Sequence, residues 1–110
     1  MIIERKELVS RSKKIILQEE NQAIGRVWIY LIQNDIHSQP YALIEDLFVK
    51  EEFRGKGYGT KLLQEAVKEA KSSGCYKIIA TSRSERTAVH QLYLDQNFKE
   101  YGKEFRLELK

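Results

Sequence analysis

What is scarce in this chain narrows its reading first. A single cysteine, Cys75, excludes an internal disulfide and any multi-cysteine metal site. Only two histidines, His37 and His90, stand beside it, so no metal-binding constellation is expected. The one proline, Pro40, closes the polar run "QNDIHSQP", the one clear long loop. No apolar run approaches a membrane span: "VWIYLIQN" has eight residues, against the roughly 20 that a spanning helix needs. The start, "MIIERKELVS", is charged by its fourth residue and does not read as a secretory leader. Charge of one sign is also lacking, with 19 Lys and Arg against 16 Asp and Glu, a net +3. That balance permits an anionic ligand without arguing for nucleic acid. The expectation is one domain over residues 1–110, in the cytoplasm, with neither a membrane nor a nucleic-acid partner.

What is present is a readable succession of periods. Residues 13–18, "KKIILQ", and 23–32, "AIGRVWIYLI", read as paired strands around the turn "EENQ". Residues 41–50, "YALIEDLFVK", read as a third strand. Over 58–73, Leu62, Leu63, Ala66, Val67 and Ala70 recur at helical spacing, with Gly74 as terminator. "YKIIAT" at 76–81 reads as a short buried strand, and 85–96 as a second helix with Ala88, Val89, Leu92 and Tyr93 on one side. "FKEY" and "EFRLEL" read as a final hairpin around Gly102, and residues 1–10 as a short first strand. The strand–helix–strand unit at the centre should place its two strands parallel and side by side or nearly so.

One stretch asks for a ligand. "RGKGYGT", 54–60, holds three of the six glycines, with Arg54 and Lys56 among them and a helix directly after. Glycine permits φ > 0 and close backbone approach. Successive N–H groups can then converge on an anion, aided by the helix's unpaired N–H groups and positive dipole end. A flexible surface turn is the plain alternative. A P-loop would need its lysine before the hydroxyl residue, whereas here Thr60 precedes Lys61. The dinucleotide fingerprint needs Gly-x-Gly-x-x-Gly, and the spacing here is Gly-x-Gly-x-Gly.

Arg54-x-x-Gly57-x-Gly59, between a strand ending "LFVKEEF" and an amphipathic helix, resembles the acyl-CoA signature of the GNAT superfamily of N-acetyltransferases. "YALIEDLFVKEEFRGKGYGTKLL" resembles that family's central strand, loop and helix, and "RTAVHQLYLDQNF" its later tyrosine-bearing helix. "GRVWIYLI" resembles the family's earlier strand, so the likeness runs from about residue 13 to 109. The departures are Asn97 in place of the usual glycine, Val89 in place of an alanine, and only about a dozen residues before the first hairpin, where members usually carry two helices. The resemblance implies an α/β (α+β) fold with a mixed, mostly antiparallel sheet, a central β-α-β acyl-CoA-binding unit and helices on both sides. It also implies direct acetyl transfer from acetyl-CoA to a primary amine in a ternary complex.

On that reading the backbone of Gly55, Lys56, Gly57, Tyr58, Gly59 and Thr60 would bind the CoA pyrophosphate, and Arg54 would brace the loop or touch phosphate. Phe48 and Val49 would pair with the pantetheine arm like an added strand, and Arg86, with Ser84, could contact pantetheine or nucleotide phosphates. Glu45 and Asp46 interrupt an apolar strand, on opposite faces by strict alternation. A carboxylate there is costly unless it is paired or wet, and desolvation would make it more basic. Glu45 is the candidate base, directly or through water; Asp46 is the alternative, and pairing with Arg26 or Arg83 is the structural one. Tyr93 is the candidate acid for the leaving thiolate. Periodicity alone makes it a core tyrosine, and the resemblance makes it catalytic. His90 relays a proton or caps a hydrogen bond; Cys75 reads as core packing. An acidic neighbourhood of Glu45, Asp46 and Asp35 would favour a cationic amine, and a second copy of the chain is expected to complete the pocket, as a homodimer. The competing classes are a non-catalytic acyl-CoA-binding or regulatory module and a small nucleic-acid-binding protein.

Overall fold

The computed structural model describes residues 1–110. The chain divides into two compact units, Met1–Ala80 and Thr81–Lys110.

The first unit is a sheet under one helix. Strand β1, Arg11–Glu19, and strand β2, Gln22–Ile32, form an antiparallel hairpin whose last pair is Glu19 with Gln22. The two residues left over, Glu20 and Asn21, have φ of 50° and 64°, the left-handed pair that a two-residue hairpin turn demands. Strand β3, Tyr41–Val49, runs antiparallel to β2. A single-turn 3-10 helix, Glu51–Phe53, leads to helix α1, Tyr58–Ser72. Strand β4, Ile78–Ala80, then pairs parallel with Ala42–Ile44. The sheet order is β1-β2-β3-β4, mixed and mostly antiparallel, with the expected β-α-β unit at its end.

Period decides the core. Val27, Ile29 and Leu31 alternate along β2, and Ala42 and Ile44 along β3, all buried on one face. Leu62, Leu63, Ala66 and Ala70 give α1 its matching stripe. Gly25 permits this close approach: a Cβ there would lie 2.9 Å from Leu62 Cδ1 and from the Phe48 carbonyl oxygen. Leu63, with 0% of its surface exposed, carries the first prediction. Leu63→Ala removes buried methyls and leaves a cavity, so denaturant unfolding should show a loss of about 2–5 kcal/mol.

The second unit contains helix α2, Thr87–Asp95. Its end is a complete Schellman motif: Phe98 N–H donates to the Tyr93 carbonyl at 3.0 Å and Asn97 N–H to the Leu94 carbonyl at 3.0 Å. Asn97 has φ of 70°, the left-handed position that this motif gives to Gly or Asn. That explains how asparagine serves where glycine is usual.

Both chain ends depart from expectation. Residues 1–10 and 99–110 have no regular structure, so neither the short first strand nor the final hairpin forms. The period is present in "EFRLEL", yet Phe105, Leu107 and Leu109 are 91%, 82% and 87% exposed. Alternation alone does not make a strand; a partner edge does. No helix is long and apolar enough to cross a membrane.

Candidate active site

The loop is built from its two ends inward. Lys50 N–H donates to the Ile24 carbonyl at 2.9 Å, anchoring the exit of β3 to β2. Phe53 N–H returns to Lys50 and Arg54 N–H to Glu51. Arg54 Nε then donates to the Val49 carbonyl at 2.8 Å, and its guanidinium lies over the Phe48 ring at 5.3 Å. Of the two roles expected for Arg54, bracing is the one this geometry displays. Gly55 and Gly57 follow at φ of 78° and 86°. Gly57 is the cap residue of α1, and its carbonyl accepts the first helical bond, from Lys61 N–H at 3.1 Å.

The start of α1 is open. No side chain caps it and no acidic residue occupies its first turn. Its leading N–H groups lack intrahelical partners by geometry, and the dipole adds positive potential there. A Cβ at Gly55 or Gly57 would meet nothing within 4 Å, so these glycines serve conformation rather than clearance. Tyr58 turns its hydroxyl away, donating to Glu19 Oε2 at 2.6 Å, and that bond above all raises its pKa above the ordinary tyrosine value. Lys61 is paired with Glu65 at 3.2 Å, and the Lys56 ammonium rests 5.8 Å from the Phe53 ring centre.

Beside this loop strand β3 has a stretch of edge with no strand partner, on which the Val49 carbonyl is taken by Arg54. Its pairing with β4 ends at Ile44, while β3 itself continues to Val49. On its other side Phe48 and Val49 are paired with Arg26 and Gly25. An extended ligand can therefore add itself along the edge from Glu45 to Val49.

The two carboxylates sit where β3 is irregular. Trp28 pairs with Glu45 and Arg26 with Phe48, so Asp46 and Leu47 together oppose Val27 alone. This is a β-bulge, and Asp46 carries its left-handed φ of 58°. The bulge shifts the phase of burial: Ala42 and Ile44 are buried before it, Leu47 after it, and Glu45 and Asp46 are both exposed. This corrects the strict alternation that put them on opposite faces among apolar neighbours. Each has a partner. Tyr30 Oη donates to Glu45 Oε1 at 3.3 Å. Arg26 reaches Asp46 at 3.0 Å through both Nε and Nη2, with its guanidinium 4.7 Å from the Phe48 ring centre. Desolvation raises the Tyr30 pKa, and the charge and hydrogen bond of Glu45 and the charge of Asp46 add to the shift. Arg26 was expected as a pairing partner of the carboxylates, and it pairs with Asp46; Tyr30 was not singled out as a partner of Glu45. Alternation along 23–32 puts them on one face, but which residue of β3 each meets depends on the bulge.

In the second unit, Arg86 immediately precedes α2, and its carbonyl accepts from His90 N–H at 3.1 Å. His90 Nε2 donates to the Arg83 carbonyl at 2.8 Å, tying the helix to the segment before it. Tyr93 is buried, its ring 5.3 Å from that of Phe98. Burial raises the phenol above its ordinary pKa, with the Arg86 guanidinium opposing. Cys75 is half-buried; burial raises its thiol and Arg11 partly opposes this.

Residues 3–98 match the acetyltransferase (GNAT) family. Over 72 residues the chain is 39% identical to streptothricin acetyltransferase A of Bacillus subtilis (strain 168), covering 64% of this chain and 39% of that protein. Among solved structures, a transcriptional regulator from Bacillus halodurans C-125 superposes with a TM-score of 0.84 at 21% identity, over 89% of this chain and 66% of its own. Glucosamine-6-phosphate N-acetyltransferase from Arabidopsis thaliana does so with a TM-score of 0.78 at 20% identity, over 90% and 67%.

Proposed function

Since the chain belongs to the acetyltransferase (GNAT) family, we propose that it transfers an acetyl group from acetyl-CoA to a primary amine, directly and in a ternary complex. The observation that carries this reading is the uncapped start of α1 behind two left-handed glycines, beside a free strand edge. Those residues fit acetyl-CoA: an anion cradle for the pyrophosphate at Gly55–Thr60, and an edge without a strand partner at Phe48 and Val49 for the amides of the pantetheine arm. Arg54 holds the cradle closed from Val49. Bound acetyl-CoA supplies an activated acyl group on a thiol leaving group. Glu45, exposed and hydrogen-bonded to Tyr30, takes the proton of the attacking amine, directly or through water. Tyr93 returns a proton to the departing sulfur, and Arg86 contacts the pantetheine or the nucleotide phosphates. The likeness to a streptothricin acetyltransferase supports an amine acceptor.

The test is a calorimetric titration with acetyl-CoA, run beside Gly57→Val, followed by turnover on a panel of amines. Valine at φ of 86° costs roughly 1–2 kcal/mol. The free loop escapes that cost by relaxing, and binding must restore it, so affinity should fall about tenfold or more. Equal affinity in the variant would sink the phosphate-loop assignment. Binding without turnover on any amine would leave an acyl-CoA-binding module.

The protein should also assemble as a homodimer, a second copy of the chain completing the acceptor pocket. Light scattering at working concentration should give twice the mass of one chain; a monomer would oppose it.

A further inference from the structure

Strand β1 closes one end of the sheet, and its outer edge has no strand beside it. Such an edge is a template for another strand unless it is short, broken by proline, bulged or charged. This one is nine residues long and holds no proline. The irregularity of the hairpin falls on β2: Leu17 pairs with Gly25 and Gln18 with Ala23, so Ile24 is the extra residue and β1 stays regular. Only charge remains as a guard, and it is segregated. Arg11, Lys13 and Lys14 occupy the first half, Glu19 the end, and Ile15, Ile16 and Leu17 the middle. Ile15 packs against the core, whereas Ile16 is 47% exposed.

This distribution selects one partner and one register. A second copy laid parallel sets lysine against lysine. A two-fold axis normal to the sheet lays it antiparallel and brings residues of like parity together. Centred on Ile15, that axis sets Lys13 against the partner's Leu17 and Lys14 against the partner's Ile16. Centred on Leu17, it sets Ile15 against the partner's Glu19. Centred on Ile16, it sets Lys13 against the partner's Glu19, Ile15 against the partner's Leu17 and Ile16 against the partner's Ile16. Opposite-charge and apolar pairs are the cross-strand pairs that stabilise. Glu19 gives only Oε2 to Tyr58, and Lys13, paired with Glu69, keeps two donors for a second carboxylate.

From this self-complementary register we propose that β1 pairs with β1 of a second copy, antiparallel about Ile16, joining two four-stranded sheets into one. The inference deepens the homodimer reading, resting on it for the number of copies, and is independent of acetyl transfer. It also brings the second copy to the site. By count, the partner's Glu20, in its hairpin turn, stands opposite Ser12, and Ser12 lines an open groove with Tyr30, Leu43 and Glu45. The partner's turn thereby adds a wall to the groove that contains the candidate base.

The experiment is sedimentation of the full chain beside Ile16→Lys, with oxidative cross-linking of cysteine variants in a Cys75→Ser background. Ile16→Lys sets two ammonium groups face to face at the axis, so the dimer Kd should rise about tenfold or more. Its far-UV circular dichroism should match that of the parent, since Ile16 lies outside the core. Ile16→Cys should link the two copies, because directly opposed Cα atoms lie about 4.5–5.5 Å apart, within disulfide reach. Gln18→Cys should not, because its two copies lie four rows apart, about 14 Å along the strands. A monomer at every concentration would overturn the pairing and the homodimer together. A dimer indifferent to Ile16→Lys, or one linked through Gln18→Cys and not through Ile16→Cys, would overturn the pairing alone. Acetyl-CoA calorimetry on the same samples reports on the glycine loop separately.

Discussion

Replacing Tyr93 by phenylalanine should lower turnover about 10²–10⁴-fold, the usual worth of a general acid, while acetyl-CoA affinity stays nearly constant. The substitution removes one oxygen and little else. The Schellman bonds at the end of α2 are backbone bonds, and the ring contact with Phe98 survives in a phenylalanine. A merely structural Tyr93 would therefore leave kcat close to that of the parent. The rate loss corresponds to about 3–5 kcal/mol of transition-state stabilisation, more than a lost hydroxyl contact, about 1 kcal/mol, supplies. The pH dependence has a definite sign. Burial raises the Tyr93 pKa, so the protonated donor is the populated form through neutrality. Activity should show no alkaline loss from Tyr93 until pH rises past the ordinary tyrosine value of about 10. Steady-state kinetics from neutral to alkaline pH, beside calorimetry, checks all of this. A full-rate Phe variant would remove Tyr93 from the chemistry.

The sequence made the regular elements legible wherever one period ruled. β1, β2, β3 and α1 lie within a few residues of their expected bounds because alternation or the 3.6 period continues through each. The parallel pairing of β3 with β4 followed from one strand–helix–strand unit. The glycine loop was legible because its chemistry is local: left-handed backbone followed by a helix start. The surroundings of the carboxylates were legible only in part: pairing with Arg26 was foreseen, the Tyr30 contact was not. They depend on the bulge at Asp46, and "LIEDLFV" has no glycine to mark a left-handed residue there. Aspartate can occupy that conformation, and its ion pair with Arg26 holds the side chain in place. Once the phase shifts, both carboxylates reach the open face. Tyr30 then becomes the neighbour of Glu45, and Arg26 that of Asp46. The final hairpin failed for the opposite reason. Its period was clear at Phe105, Leu107 and Leu109, but pairing is a property of two segments and not of one.

Glu45→Gln should cost about 10²–10⁴-fold in kcat/KM for the amine, and Asp46→Asn far less. Glutamine has the length of glutamate and retains an oxygen that can accept the Tyr30 hydroxyl, so the variant loses charge and basicity while the hydrogen bond can persist. What remains must rely on amine that is already deprotonated in solution. The residual rate should therefore climb with pH toward the pKa of the amine, near 10.4 if it is lysine-like, and the gap between the two enzymes should narrow. Asp46 is a different case. Its carboxylate is held by two guanidinium nitrogens of Arg26, and its backbone forms the bulge. Asparagine also tolerates the left-handed region, so Asp46→Asn should preserve the bulge of β3 while breaking the ion pair. Kinetics of the two variants separate three mechanisms. Loss in Glu45→Gln alone identifies Glu45 as the base. Loss in Asp46→Asn alone transfers that role to Asp46, with Arg26 as the group that must release it. Full rate in both means that the amine gives its proton to water, and that the open face of β3 binds the acceptor without activating it.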